Sequence, residues 1–188
     1  VADSSIISFN WDLLLDHAIQ RDVAGGCQID YGIDFNVITE DGQKLVCSRN
    51  WTPPLYKLHG SLNWVICTCG TVYFKYGKIG IDTIGNITDR LLCSNPDKSK
   101  KHKLNRLILP PTFYKLEDEN ILEPVKKIWN EAYNHLRSAD RIIIIGYSLP
   151  ENDLHFKLFF KNVLITNVRD ASKHNDLKID IVNFVPYS

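Results

Sequence analysis

Methionine is absent from the 188-residue chain, which opens Val1-Ala2-Asp3. Translation starts on methionine, so this reads as a fragment, or as a chain whose leading part has been removed. Net charge is absent as well. Twenty-two Lys and Arg balance 22 Asp and Glu, which leaves no overall field to draw in nucleic acid or an anionic membrane. No apolar run approaches the roughly 20 residues that a membrane-spanning helix needs, and no basic-then-apolar leader stands at the front. The five cysteines, Cys27, Cys47, Cys67, Cys69 and Cys93, are an odd number. Without a secretory leader they argue for a reduced, cytoplasmic chain rather than a disulfide framework.

What remains is an ordinary globular composition, 44% hydrophobic and 23% charged, which excludes collagen-like, coiled-coil and wholly disordered chains. A chain of this size buries about 70% of the surface that its unfolded form exposes, enough to fold without covalent or metal staples.

Ser5-Ile6-Ile7-Ser8-Phe9 reads as a short strand that runs into an apolar-rich helical stretch, Trp11 to Ile19, with Asn10 placed as an N-cap. Asp41-Gly42 between two β-prone runs predicts a hairpin over about 35–48. Leu55-Tyr56-Lys57-Leu58 reads as a second strand that ends at His59-Gly60-Ser61. Residues 61–107 are irregular and glycine-containing, and read as a small, partly β insertion between two parts of one domain, 1–60 and 108–188. Pro124 stands at the first position of a helix, where its missing amide hydrogen does no harm, and Val125, Ile128, Ala132 and Leu136 repeat along one helical face. The run Ile142-Ile143-Ile144-Ile145 fits a strand covered on both faces. A Leu- and Phe-rich helix over 151–165 and a final strand, Ile179 to Val185, complete an alternation of strands and helices. That pattern predicts an α/β fold: a mostly parallel sheet with helices on both faces.

Ligands of such sheets bind beyond the carboxyl ends of the strands. Four expected strands end in small or polar residues: Asn10 with Asp12, His59-Gly60-Ser61, Gly146-Tyr147-Ser148, and Asn183. If the sheet is parallel, all four share one crevice. Each also has a plainer reading, Asn10 as a cap and Gly146 as a way out of the strand. His59 is harder to dismiss, since it precedes Gly-Ser at a strand end and exchanges protons near neutral pH. His17, His135 and His174 read as structural, and His155 stays open.

Together these segments resemble the sirtuin family. Phe9-Asn10-Trp11-Asp12 is similar to the sirtuin Gln-Asn-x-Asp strand end, and Lys57-Leu58-His59-Gly60-Ser61-Leu62-Asn63-Trp64 to the His-Gly motif of bacterial sirtuin-like domains. Ile145-Gly146-Tyr147-Ser148-Leu149-Pro150 followed by Asp153 resembles the Gly-x-Ser loop, and Ile181-Val182-Asn183 the strand-end Asn near the adenine ribose. The ordered set spans residues 6–185 and is most similar to the sirtuin-like domains of bacterial anti-phage defence proteins. The resemblance implies a Rossmann-like domain that takes NAD as substrate. In it His59 and Asn10 are catalytic, and Asp12, Gly146, Ser148 and Asn183 hold the dinucleotide.

Three departures stand out. The Gly-Ala-Gly phosphate loop has no counterpart, Phe9 replaces the polar Gln, and the two Cys-x-x-Cys pairs of a zinc module are reduced to Cys67-Thr68-Cys69 and a distant Cys93. Tetrahedral zinc wants four spaced ligands, so no zinc is expected unless His102 or Cys47 joins. The basic loop Lys98–Lys103 lacks aromatics to stack bases and reads as a solvated turn, with no nucleic-acid or membrane contact. Three functions follow from the resemblance: hydrolysis of NAD to nicotinamide and ADP-ribose, NAD-dependent protein deacylation, or non-catalytic binding of NAD or ADP-ribose that regulates partner domains outside this chain.

Overall fold

A computed structural model of the chain describes residues 4–22, 29–39, 53–76, 103–109, 119–147, 153–169 and 177–183. The fold is α/β and Rossmann-like, with short parallel strand pairs and three helices among these residues. It divides into two compact units. The first comprises Val1–Pro110 with Tyr114–Trp129, and the second comprises Pro111–Phe113 with Asn130–Ser188.

In the first unit, β1 (Ile6–Ser8) pairs in parallel with β3 (Leu55–Lys57), with Ile6 opposite Leu55 and Ser8 opposite Lys57. Helix α1 (Leu14–Asp22) follows β1. It starts later than the sequence suggests, and its cap is Asp12 rather than Asn10. The Asp12 carboxylate accepts the Leu14 amide at 3.0 Å, satisfying one of the donors that a helix N-terminus leaves free. A mixed sheet runs in the order β2-β5-β4-β6, built from β2 (Asn36–Thr39), β4 (Gly60–Cys67), β5 (Val72–Tyr76) and β6 (Leu104–Ile108). β2 is parallel to β5, whereas β4 is antiparallel to both β5 and β6. The turn and second arm of the hairpin expected over 35–48 lie outside the described residues. Leu55, Leu58, Trp64, Ile66, Leu107 and Ile128 form the centre of the buried core.

Helix α2 (Glu119–Ser138) begins before Pro124, which therefore lies inside it rather than at its start. This early in a helix a proline removes a single intrahelical hydrogen bond. The expected apolar face is present, with Val125, Ile128 and Ala132 buried and Leu136 half-buried.

In the second unit, β7 (Arg141–Ile145) and β8 (Lys178–Val182) pair in parallel, joined through α3 (Leu154–Arg169). The cap of α3 is Asp153, whose carboxylate accepts the Phe156 amide at 3.1 Å. Tyr133 on α2 packs edge-on against Phe159, and its hydroxyl lies 3.0 Å from that of Thr166. The isoleucine run is not covered on both faces. Ile142 is buried, but Ile143 and Ile145 are 52% and 73% exposed. Successive strand side chains point to opposite faces, and here the run reflects the β preference of branched side chains more than two-sided burial.

Candidate functional site

Two parallel pairs end in the polar residues singled out from sequence. β1 and β3 finish together at Ser8 and Lys57, so Asn10 and His59 leave the same carboxyl end of the first pair. Ser8 fixes both departures. Its carbonyl accepts the Leu58 amide at 3.0 Å, and its hydroxyl accepts the Asn10 amide at 3.2 Å. Asn10 is exposed.

His59 is buried. Its ring meets Phe9 edge-on at a centroid distance of 5.6 Å and lies 6.3 Å from Trp129 of α2. The Trp129 indole donates to the Leu58 carbonyl at 2.9 Å, and the His59 carbonyl accepts the Leu109 amide at 2.9 Å. Phe9, which replaces a polar Gln in the resemblance, thus forms one wall of the imidazole's surroundings. Gly60 makes the turn possible. Its φ is +80°, and a Cβ there would fall 2.0 Å from the Leu107 carbonyl oxygen, a position open only to glycine.

Beneath the turn lies a polar cluster that sequence reasoning missed. Lys57, Asp16 and Ser61 are all buried. The Lys57 ammonium donates to Asp16 Oδ2 at 2.8 Å, Ser61 Oγ at 2.9 Å and the Asp12 carbonyl at 2.5 Å. The Tyr31 hydroxyl donates to Asp16 Oδ1 at 2.5 Å. Burial lowers the Lys57 pKa while the Asp16 carboxylate works against that shift. Burial and the same carboxylate raise the Tyr31 phenol well above its ordinary value. The Trp11 carbonyl accepts the Leu62 amide at 3.0 Å and lies 3.5 Å from Ser61 Oγ. A signal was available: a lysine inside the apolar run Leu55-Tyr56-Lys57-Leu58, and an aspartate one helical turn before the buried Ile19.

In the second unit, Gly146 and Asn183 follow the carboxyl ends of β7 and β8. The Gly146 amide donates to the Val182 carbonyl at 2.9 Å, which brings Gly146 beside the residue preceding Asn183. Gly146 has φ +63°, and among the described residues nothing lies within 4 Å of where a Cβ would stand, so the left-handed backbone is what calls for glycine. Tyr147 donates its hydroxyl to Asp153 Oδ2 at 2.5 Å, and burial with that carboxylate raises its pKa. Ser148 lies outside the described residues, as do Cys27, Cys47, Cys93 and His102.

Cys67 is built into an apolar cluster with Val65, Tyr73 and Leu104, and Cys69 lies 3.1 Å from the Thr71 hydroxyl. Among the described residues no group of three His, Cys, Asp or Glu side chains could hold a metal ion. A separate cavity of about 470 Å³ in the first unit is lined by Asp34, Asn36, Thr71, Glu123 and Lys127 among others. No helix among the described residues is long and apolar enough to cross a membrane.

No match was found among the curated proteins or among the solved structures. The family model of the SIR2-like domain matches residues 4–175, a span that takes in the β1 exit, the His59 turn and the Gly146 turn. The chain therefore belongs to the SIR2-like domain family, whose members generally use NAD.

Proposed function

We propose that the protein hydrolyses NAD to nicotinamide and ADP-ribose, with His59 and Asn10 as the catalytic pair. The observation that carries this reading is the common exit of β1 and β3, where the His59 ring meets Trp129 and Phe9, the residue that precedes Asn10. The glycosidic bond between nicotinamide and ribose breaks with both electrons leaving on the nicotinamide nitrogen, which becomes neutral. Positive charge then builds at the ribose anomeric carbon. A water oxygen bonds to that carbon and its proton passes to the His59 imidazole, which has a ring nitrogen suited to the task near neutral pH. The Asn10 carboxamide, exposed at the strand exit, orients the water or a ribose hydroxyl. Asp12, Gly146, Ser148 and Asn183 hold the dinucleotide.

The alternative, deacylation of a protein lysine, uses the same two residues but replaces water by an acyl oxygen and needs a peptide platform. Burial of Cys67 among Val65, Tyr73 and Leu104 favours hydrolysis, because the thiol serves the core where a zinc module would use it as a ligand. A non-catalytic role in binding NAD or ADP-ribose for partner domains is the third reading. A bacterial cytoplasmic setting in anti-phage defence accords with the motif forms.

The test is to incubate the protein with NAD and follow free nicotinamide, with and without an acetylated peptide. Peptide-independent release, lost in His59→Ala and Asn10→Ala, is the expected result. Loss of a positioned base lowers the rate by about 10²–10⁴-fold. Release only with the peptide favours deacylation, and wild-type turnover by His59→Ala overturns the assignment.

A further inference from the structure

Lys57 has no chemical role in the reaction just proposed, yet its ammonium makes three hydrogen bonds beside the His59 turn. Its side chain is 1% exposed. An ammonium group has three N–H donors, and each finds an acceptor on a different part of the chain: the Asp12 carbonyl in the loop after β1, the Asp16 carboxylate on α1, and the Ser61 hydroxyl at the start of β4. The carboxylate is itself oriented, since its second oxygen accepts the Tyr31 hydroxyl. Ser61 extends the tie to the Trp11 carbonyl, which the Leu62 amide also holds. Two consecutive carbonyls directly after Asn10 are therefore anchored: that of Trp11 to Ser61 and Leu62, which follow His59-Gly60, and that of Asp12 to Lys57, two residues before His59.

A buried ion pair is poor evidence of stabilisation, because desolvation offsets much of its attraction and apolar residues of similar volume often replace it without loss. What an apolar replacement cannot reproduce is the hold on the loop carbonyls. We infer that Lys57 is a positioning residue, which sets the Asn10–Asp12 segment against the His59 turn through its bonds to the Asp12 carbonyl and to Ser61. The inference rests on the NAD-cleaving reading for its effect on rate, but its geometric content can be tested without it. A displacement of about 1 Å at a reacting group lowers turnover by about 10²-fold, and that is the scale expected here.

The experiment uses the full chain and two variants. Asp16→Leu/Tyr31→Phe/Lys57→Met replaces the polar cluster by apolar groups of similar size, and Ser61→Ala removes one leg with minimal change of shape. Three quantities are read: the chemical-denaturation midpoint, the NMR resonances of the His59 imidazole and the Asn10 carboxamide, and kcat and KM for NAD. The triple variant is expected to keep a midpoint close to wild type while both sets of resonances shift and kcat falls about 10²-fold with KM little changed. Ser61→Ala is expected to shift the same resonances with a smaller loss of kcat, and it decides the matter if the triple variant does not fold. Wild-type positions for the His59 and Asn10 resonances in the folded variants overturn the inference. Turnover unaffected by His59→Ala would instead sink the NAD-cleaving reading, and the resonance shifts would still decide what Lys57 does.

Discussion

The indole N–H of Trp129 donates to the carbonyl of Leu58 at 2.9 Å, and so fixes the peptide immediately before His59 from a helix that begins more than fifty residues later. Trp129→Phe keeps an aromatic ring beside His59 but leaves that carbonyl without its donor. A loss of about 1–3 kcal/mol is expected, measured by urea denaturation, together with a changed ring-current shift of the His59 protons. A variant as stable as wild type with an unchanged His59 spectrum would show that the bond holds nothing.

Two left-handed glycines respond differently to the same change. Gly60→Ala adds backbone strain to a Cβ 2.0 Å from the Leu107 oxygen, and is expected to lower stability by about 2–5 kcal/mol. Gly146→Ala meets no neighbour within 4 Å among the described residues, so there the left-handed conformation is what resists it, at about 1–2 kcal/mol. Parallel melting curves check this ranking, and equal losses would contradict it.

Alkaline stability carries the signature of the buried cluster. The Tyr31 phenol is raised above 10.0 in the fold. Below pH 10 both folded and unfolded chains keep its proton, and above pH 10 the unfolded chain releases it first. Stability is therefore lost progressively as pH rises from 10 toward the raised value. Lys57 acts in the opposite sense. Its lowered value means that the fold gives up the proton before the unfolded chain does, so the burden of burying a charge lessens as pH approaches 10.5. In Tyr31→Phe the fall in stability above pH 10 should be shallower than in wild type. Denaturation midpoints between pH 8 and 11 measure it, and identical slopes in the two proteins would refute it.

Asp153 serves two partners, capping α3 through the Phe156 amide and accepting the Tyr147 hydroxyl. Asp153→Ala should lower stability by about 1–2 kcal/mol and speed hydrogen exchange in the first turn of α3, while Asp153→Asn, which keeps an acceptor, should recover most of the loss. Protection of that turn unchanged in Asp153→Ala would mean that the cap contributes nothing.

Much of the layout was legible because local chemistry and topology agreed. The His59-Gly60 turn after an apolar run, the apolar face of α2 and the α/β alternation each follow from short patterns. Boundaries failed where two residues offered the same service. Asn10 and Asp12 can both cap a helix, and only the fold selects Asp12. Pro124 reads as a helix start, but the helix begins at Glu119 and runs through the proline. The isoleucines of β7 mark a strand correctly and its burial incorrectly, because β-branching favours strands whether or not both faces are covered. The Lys57 cluster escaped notice for another reason. Its members are brought together by folding, and no spacing rule links residues 16, 31, 57 and 61.

That separation bears on how the site comes into being. Lys57 reaches Asp16 across 41 residues and Asp12 across 45, and closing a loop of that length opposes assembly by about 3 kcal/mol of chain entropy. No local fragment around His59 can therefore carry a miniature of the site, since its other half arrives only with the pairing of β1 and β3. Folding kinetics and the acquisition of competence become one event. Anything that slows docking of the first strand, whether a nascent chain still emerging or a weakened β1, delays both together.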